Sequence, residues 1–295
     1  MIDIVEKLDK QTARRIKQFP HPNNRASEAG HPCLRFLVLS RLHQEKKALH
    51  DVGLQRIFDE GRLHEGAVLR EIEDAGFKIV EQQRPFEWQK FQLAGHIDAK
   101  ILMNGQLIPL EIKSCSPNSF RHIKDLEPME MITSKFSWVR KYPGQILLYI
   151  LMDNKEEGII LFKNKTTGEK CQKNFKLDYD YTESILKKLE IVNEYVAKKE
   201  VPYSVEMCED CNDCGFQKTM CFPDCDYGPG FAFLSDKEAE EKLERREFLK
   251  PSHAEYNQLD KLLKGHFREQ NVVVGNFKIE TKVHTNRTEV VIKKL

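Results

Sequence analysis

Apolar residues recur with a period of two at Ile97, Ala99, Ile101 and Met103 and again at Ile108, Leu110 and Ile112, on either side of Asn104-Gly105. That period marks a strand. Asn-Gly between two strands is the strongest short hairpin signal, because a type I′ turn needs two residues that tolerate positive φ. With those two as the loop, Met103 pairs with Gln106, Ile101 with Ile108, Ala99 with Leu110 and Ile97 with Ile112, giving one apolar face. The same register sets Asp98 across from Glu111 on the other face, where opposed Cβ atoms lie about 4.5–5.5 Å apart. Lys113, two residues past Glu111, shares that face. Two acids and a lysine therefore gather on a hairpin whose other side is buried.

The flanking patterns predict helices and further strands. Residues 1–30 read as a charged helix and a Pro/Asn loop around His21-Pro22-Asn23-Asn24, and residues 27–42 contain a buried helix start. Residues 51–75 are helical in period, with Val52, Ile57, Leu63, Val68, Leu69 and Ile72 as core candidates and Gly76 as the stop. Strands follow near 77–80 and 84–88, ahead of the hairpin. Residues 115–140 read as a Ser/Pro/His loop holding at most one short helix, a length that in a compact domain points to function. A helix after Pro143-Gly144 carries Gln145, Leu148, Tyr149 and Met152. Residues 158–163 and 173–177 pair as strands around Thr166-Thr-Gly168. Ile185, Leu189, Val192 and Val196 stripe a helix over 182–199. Gly228-Pro229-Gly230 marks the domain boundary. Two helices opened by Ser235…Glu238 and Ser252…Glu255 follow, then a hairpin around His284-Thr-Asn-Arg287. There is no internal repeat.

Composition narrows the class. The 295 residues carry 47 Lys and Arg against 46 Asp and Glu, a formal net charge of +1. No global basic field advertises nucleic acid, although a local cleft can be positive on a neutral protein. The N-terminal stretch has acids and no apolar core, so it is not a secretory signal. No run approaches the roughly 18 apolar residues of a membrane span. A cytoplasmic protein with no membrane partner is expected. Of 8 cysteines, Cys208, Cys211, Cys214, Cys221 and Cys225 crowd together. A disulfide scaffold belongs to small secreted chains, so ligation of a metal or cluster is the expectation.

The hairpin constellation suits phosphodiester hydrolysis. That reaction needs a nucleophilic water and neutralisation of charge on the transition state, and Mg²⁺ or Mn²⁺ on oxygen ligands supplies both. Asp98 and Glu111 offer carboxylates, the Ile112 carbonyl a further oxygen, and Lys113 a group to orient or deprotonate the water or to stabilise the developing charge.

Asp98 followed by Glu111-Ile-Lys113 resembles the signature of the PD-(D/E)XK nucleases. Further residues resemble the RecB-like exonuclease branch, which includes the CRISPR-associated iron–sulfur nucleases. Gly95-His-Ile-Asp98 is similar to its G-x-x-D. His64, in Glu60-Gly-Arg-Leu-His64, matches its upstream metal-ligating histidine. Gln145 and Tyr149 match its Q-x-x-x-Y, on one helix face that the resemblance turns towards DNA. Cys33, in Pro32-Cys-Leu-Arg35, matches the lone cysteine that joins a late triplet around a [4Fe–4S] cluster. Cys211-x2-Cys214-x6-Cys221 comes nearest to that triplet, one residue longer than the usual pattern, and Cys208-x2-Cys211 with Cys221 competes. Zn²⁺ on Cys208, Cys211, Cys214 and Cys221 is the alternative, since both groups accept four thiolates. Arg35 contacts DNA phosphate or pairs with an acid. Cys115 and Cys171 read as unligated thiols.

The resemblance implies an α/β nuclease core over residues 1–227, a mixed sheet flanked by helices and closed by the cysteine-ligated region. A small α+β appendage spans 228–295. It implies a Mg²⁺- or Mn²⁺-dependent exonuclease on single-stranded or end-frayed DNA, working with a helicase, CRISPR integration proteins or phage recombination factors. The alternatives are a structure-specific endonuclease with the same residues, and a non-catalytic DNA-binding adaptor with a structural metal site.

Overall fold

The computed structural model describes residues 3–17, 21–202, 209–221, 232–233, 236–250, 253–284 and 287–295. The chain divides into two compact units, Met1–Pro202 and Tyr203–Leu295. The described part of the cysteine-rich segment therefore groups with the C-terminal unit, ahead of the boundary expected at Gly228-Pro229-Gly230. Among the described residues no helix is long and apolar enough to cross a membrane.

In the first unit, helix α1 (Ile4–Ala13) precedes β1 (Asn24–Arg25), α2 (Ala26–Ala29), α3 (Leu34–Leu42) and α4 (Val52–Asp74). Then come β2 (Lys78–Val80), β3 (Arg84–Trp88), β4 (Leu93–Ile97), β5 (Ala99–Met103) and β6 (Gln106–Cys115). Helices α5 (Pro117–Asp125), α6 (Ser137–Arg140) and α7 (Tyr142–Met152) lead to β7 (Glu157–Asn164), β8 (Lys170–Lys176) and α8 (Tyr179–Lys198). The main sheet has the order β2-β5-β6-β7-β8 and is mixed: β6 and β7 are parallel, and the other neighbours antiparallel. The crossover between the parallel strands holds α5, α6 and α7, as parallel neighbours require. A second, three-stranded sheet runs β1-β4-β3. This is the mixed α/β architecture expected of the chain.

Most of the predicted elements form where the pattern put them. Asn104 (φ 51°) and Gly105 (φ 79°) make the turn, and Met103–Gln106, Ile101–Ile108 and Ala99–Leu110 pair in the expected register. Helix α4 ends as foreseen: Gly76 N–H donates to the Glu73 carbonyl and Phe77 N–H to the Ile72 carbonyl, the double bond of a Schellman stop.

Three expectations change. The stretch after β6 is not mainly loop. Ser116 accepts from Ser119 N–H and Pro117 stands in the first turn of α5, where its missing N–H is harmless. Helix α4 packs on the sheet only through its C-terminal half: Val68 and Leu69 are buried, whereas Ile57 and Leu63 are 54% and 67% exposed. Ile97 does not face Ile112. It belongs to β4, pairs with Arg84 and joins Phe86, Leu93 and Tyr149 in a separate cluster, because the chain changes sheet at Asp98.

Both faces of the main sheet are covered. Val68 and Leu69 pack on Ala99, Ile101, Ile108, Leu110 and Ile112. On the other side Ile146, Leu147 and Ile150 of α7 pack with Ile160, Phe162 and Phe175. Burial of roughly ten such side chains, each contributing about 1.5–3 kcal/mol, holds the hairpin between two helices.

In the second unit, β9 (Ala232–Phe233), α9 (Lys237–Phe248), α10 (His253–His266), β10 (Val272–Val274), β11 (Phe277–His284) and β12 (Arg287–Lys294) form a four-stranded sheet and two helices. The expected tail hairpin is β11–β12. The first helix opens one residue later than its capping signal, with Asp236 accepting from Ala239 N–H.

Candidate active site

The site forms where two ribbons kink together. The ladder of β2 with β5 ends at Val80–Lys100, and that of β3 with β4 ends at Arg84–Ile97. Three residues, Glu81 to Gln83, therefore oppose two, Asp98 and Ala99. Such a bulge bends the strand and re-aims a side chain. Glu81 and Gln83 adopt positive φ (53° and 51°), and Gln83 N–H donates to the Asp98 carbonyl at 3.0 Å.

At Asp98 strand β5 parts from β6. One more ladder step would set Asp98 opposite Glu111, as the register requires. Instead, Asp98 Oδ2 accepts from the Ile112 amide at 2.7 Å, so the carboxylate replaces the ladder bond that the bend removes. A strand residue points its N–H and C=O to the same edge, which turns the Ile112 carbonyl towards this gap.

Glu111 is 2% exposed. Its Oε1 accepts from Lys113 Nζ at 2.5 Å and from Gln145 Nε2 at 2.8 Å. Its Oε2 is buried with no hydrogen-bond partner among the described residues. Such an atom costs about 1–3 kcal/mol or more when charged. Burial pushes the Glu111 carboxyl up to about 7, Lys113 opposes the rise, and Asp98 adds to it. Burial likewise raises Asp98 above the usual carboxylate range, against the pull of Lys113 and the Ile112 amide. Burial alone would lower the Lys113 ammonium, but Glu111, Tyr142 and Asp98 outweigh it and hold it above its ordinary value. Lys113 Nζ also stands 5.1 Å over the Tyr142 ring, whose hydroxyl burial pushes up to about 12.

Helix α7 supports this cluster from beneath. Gln145 and Tyr149 share the face foreseen for them, but that face is buried at 4% and 1% exposure. Gln145 holds Glu111, and Tyr149 Oη donates to the His96 carbonyl at 2.8 Å. Both side chains therefore bond inward, to Glu111 and to the backbone of β4. Arg35 donates to the Pro202 carbonyl, so part of its guanidinium is engaged in fixing the chain.

The sequence reading missed Glu65. Gln83 Nε2 donates to Glu65 Oε1 at 2.6 Å and reaches Asp98 Oδ1 at 3.4 Å, so one amide nitrogen spans both acids. Burial and then Asp98 push the Glu65 carboxyl up. Its neighbour His64 is half-buried; burial and then Lys163 and Lys165 lower it. A signal for Glu65 was present: it lies four residues after Gly61 and three before Val68, on the stripe of α4 that meets the sheet. Tyr142 and Gln83 had no comparable signal.

Among the described residues no three His, Cys, Asp or Glu side chains are gathered as a metal-binding group. The donor chemistry nevertheless fits a hard divalent cation: Asp98, Glu111, Glu65 and the Ile112 carbonyl are all oxygen donors, and the unpartnered Glu111 oxygen is the kind of atom a cation satisfies. Cys33 caps α3, accepting from Phe36 N–H at 3.4 Å, in the first unit. Cys211, Cys214 and Cys221 lie on consecutive turns of the second, with Cys214 N–H on the Cys211 carbonyl and Cys221 N–H on that of Phe216. Cys208 lies outside the described residues. Cys115, buried and raised to about 11 by that burial, is an inert thiol.

Fold and site together define a mixed α/β protein with a buried glutamate, a partly buried aspartate and a lysine at a strand parting. No protein family and no curated protein matches the chain. Solved structures similar to it include SSO0001, at 15% identity and a TM-score of 0.43, covering 76% of this chain and 97% of that one. An alkaline exonuclease, LHK-Exo from Laribacter hongkongensis, is similar at 14% identity and a TM-score of 0.41 over 64% of this chain and 93% of its own. The same enzyme solved with dAMP gives 14% and 0.41 over 60% and 89%.

Proposed function

We propose that the chain is a Mg²⁺- or Mn²⁺-dependent deoxyribonuclease that hydrolyses phosphodiester bonds at single-stranded or frayed DNA ends. The observation that carries this reading is Glu111: a buried carboxylate with one oxygen unpartnered among the described residues, beside Asp98, with Lys113 on its other oxygen. Nothing in the packing of a purely structural strand calls for that arrangement. A divalent cation, when bound, supplies Lewis acidity and a water of lowered pKa. Asp98, Glu111, the Ile112 carbonyl and Glu65 are the groups that would hold it, with His64 one residue from Glu65. Lys113, kept protonated by its acidic neighbours, places positive charge where the phosphoryl oxygens gain negative charge. Gln145 fixes Glu111, and Tyr149 fixes the strand that delivers Asp98.

We also propose, on the sequence pattern alone, that Cys33, Cys211, Cys214 and Cys221 ligate a [4Fe–4S] cluster, which would tie the chain to the CRISPR-associated branch and to helicase, integration or recombination partners. No catalytic step rests on that cluster. Iron and sulfide analysis after anaerobic purification decides it, and stoichiometric zinc without iron would replace the cluster with a zinc site.

The activity is tested with Mn²⁺ and labelled single-stranded DNA in linear and circular form. Degradation of the linear strand with the circle intact is the expected result. Cutting of the circle would make the enzyme an endonuclease, and no cleavage of either would remove the reading.

A further inference from the structure

We propose that Gln83 is a clasp on the metal position: without metal its amide stands between Glu65 and Asp98, and it must swing out before Glu65 can ligate. The inference rests on the nuclease reading and adds a residue that no part of the sequence motif contains.

The geometry is that of a stand-in cation. Gln83 Nε2 is 2.6 Å from Glu65 Oε1 and 3.4 Å from Asp98 Oδ1, a positively polarised donor placed between two acids. Divalent cations bind such oxygens at about 2.0–2.6 Å, so amide and cation compete for the same space. Two partly buried carboxylates, with Asp98 bearing on Glu65, gain from either occupant.

The backbone beneath the clasp is fixed, whereas the side chain is exposed. Gln83 N–H is bonded to the Asp98 carbonyl. Two residues earlier, Glu81 is held by Lys100 at 2.7 Å and by Arg84, and Lys100 also pairs with Asp153 at the end of α7 at 2.5 Å. Positive φ at both Glu81 and Gln83 is a local strain that persists only where the surroundings impose it. Opening the clasp therefore needs only rotation of the Gln83 side chain, with the bulge left in place.

A site closed by its own side chain binds metal with an affinity reduced by the fraction that is open. One competing hydrogen bond to a carboxylate is worth roughly a fivefold change in that affinity. Glycine is the informative replacement, because it removes the amide and accepts the positive φ. The test is isothermal titration of wild type, Gln83→Gly and Asp98→Asn with MnCl₂, alongside their melting temperatures with and without Mn²⁺. The expected result is Asp98-dependent binding in the wild type and about fivefold tighter binding in Gln83→Gly. The variant should also melt lower than wild type without metal and gain more on saturation. Unchanged Mn²⁺ binding in Gln83→Gly would overturn the clasp while leaving the nuclease reading intact. Weaker binding would overturn it too, making Gln83 a ligand through its carbonyl. Absence of any Asp98-dependent binding in the wild type would remove both.

Discussion

Gly95→Ala probes how the fold delivers Asp98. A Cβ on Gly95 would stand 2.7 Å from Tyr149 Oη, 2.8 Å from Ala26 Cβ and 3.0 Å from Tyr149 Cε1. Neither neighbour has room to retreat, since Ala26 is fully buried and Tyr149 is 1% exposed. Overpacking of this kind costs about 1–3 kcal/mol. Displacing Tyr149 also breaks its bond to the His96 carbonyl, which costs about 1 kcal/mol. The sum is about 3 kcal/mol. Tyr149→Phe alone should cost about 1 kcal/mol. In the double variant the closest atom is gone and the hydrogen bond already lost, so the two changes should fall short of additivity by about 1 kcal/mol. Urea denaturation of the four proteins measures this, and fluorescence reports the right unit because both tryptophans, Trp88 and Trp138, lie within Met1–Pro202. Gly95 is three residues from Asp98, so cleavage by Gly95→Ala should lose kcat more than KM. Additivity within about 0.3 kcal/mol would refute the contact on which the reasoning stands.

Three further outcomes follow from the same geometry. Asn104→Ala should destabilise the hairpin by about 1 kcal/mol because of its positive φ, whereas Asn104→Gly should be nearly neutral in the same urea assay. Burial lowers Lys188 to about 8; the unfolded chain therefore binds more protons, and stability should rise as pH climbs from about 8 towards 10.5. Lys188→Met should flatten that rise and stabilise the protein at pH 7 by up to about 3 kcal/mol, read as melting temperature against pH. Glu65→Gln should raise the Mn²⁺ concentration needed for half-maximal cleavage more than His64→Ala does, because Glu65 shares an amide with Asp98 while Lys163 and Lys165 bear on His64.

Much of this site could be read before the structure. Asn104-Gly105 set a register that the ladder keeps through Ala99–Leu110, since a slip of one residue would turn the apolar face outward. That register was enough to bring Asp98, Glu111 and Lys113 together. The bulge at Glu81 to Gln83 was not legible, because it depends on two strands separated in sequence and on a change of sheet. With it went the pairing of Ile97 and the contacts of Gln83 with Glu65 and Asp98. The burial of Gln145 and Tyr149 was hidden for a related reason: helical spacing shows that two side chains share a face, but not which layer covers it. Glu65 was passed over because the motif drew attention to His64, although the periodicity of α4 favoured its neighbour.

The central claim is that Glu111 is held in an unfavourable burial for the sake of catalysis. The most direct measurement compares Glu111→Gln with wild type for Mn²⁺-dependent cleavage of end-labelled single-stranded DNA and for melting temperature. The isosteric amide removes a buried ionisable group whose carboxyl is already pushed up to about 7. Cleavage should therefore fall at least about a hundredfold while the melting temperature stays within a few degrees of wild type. Full cleavage by Glu111→Gln would contradict the account.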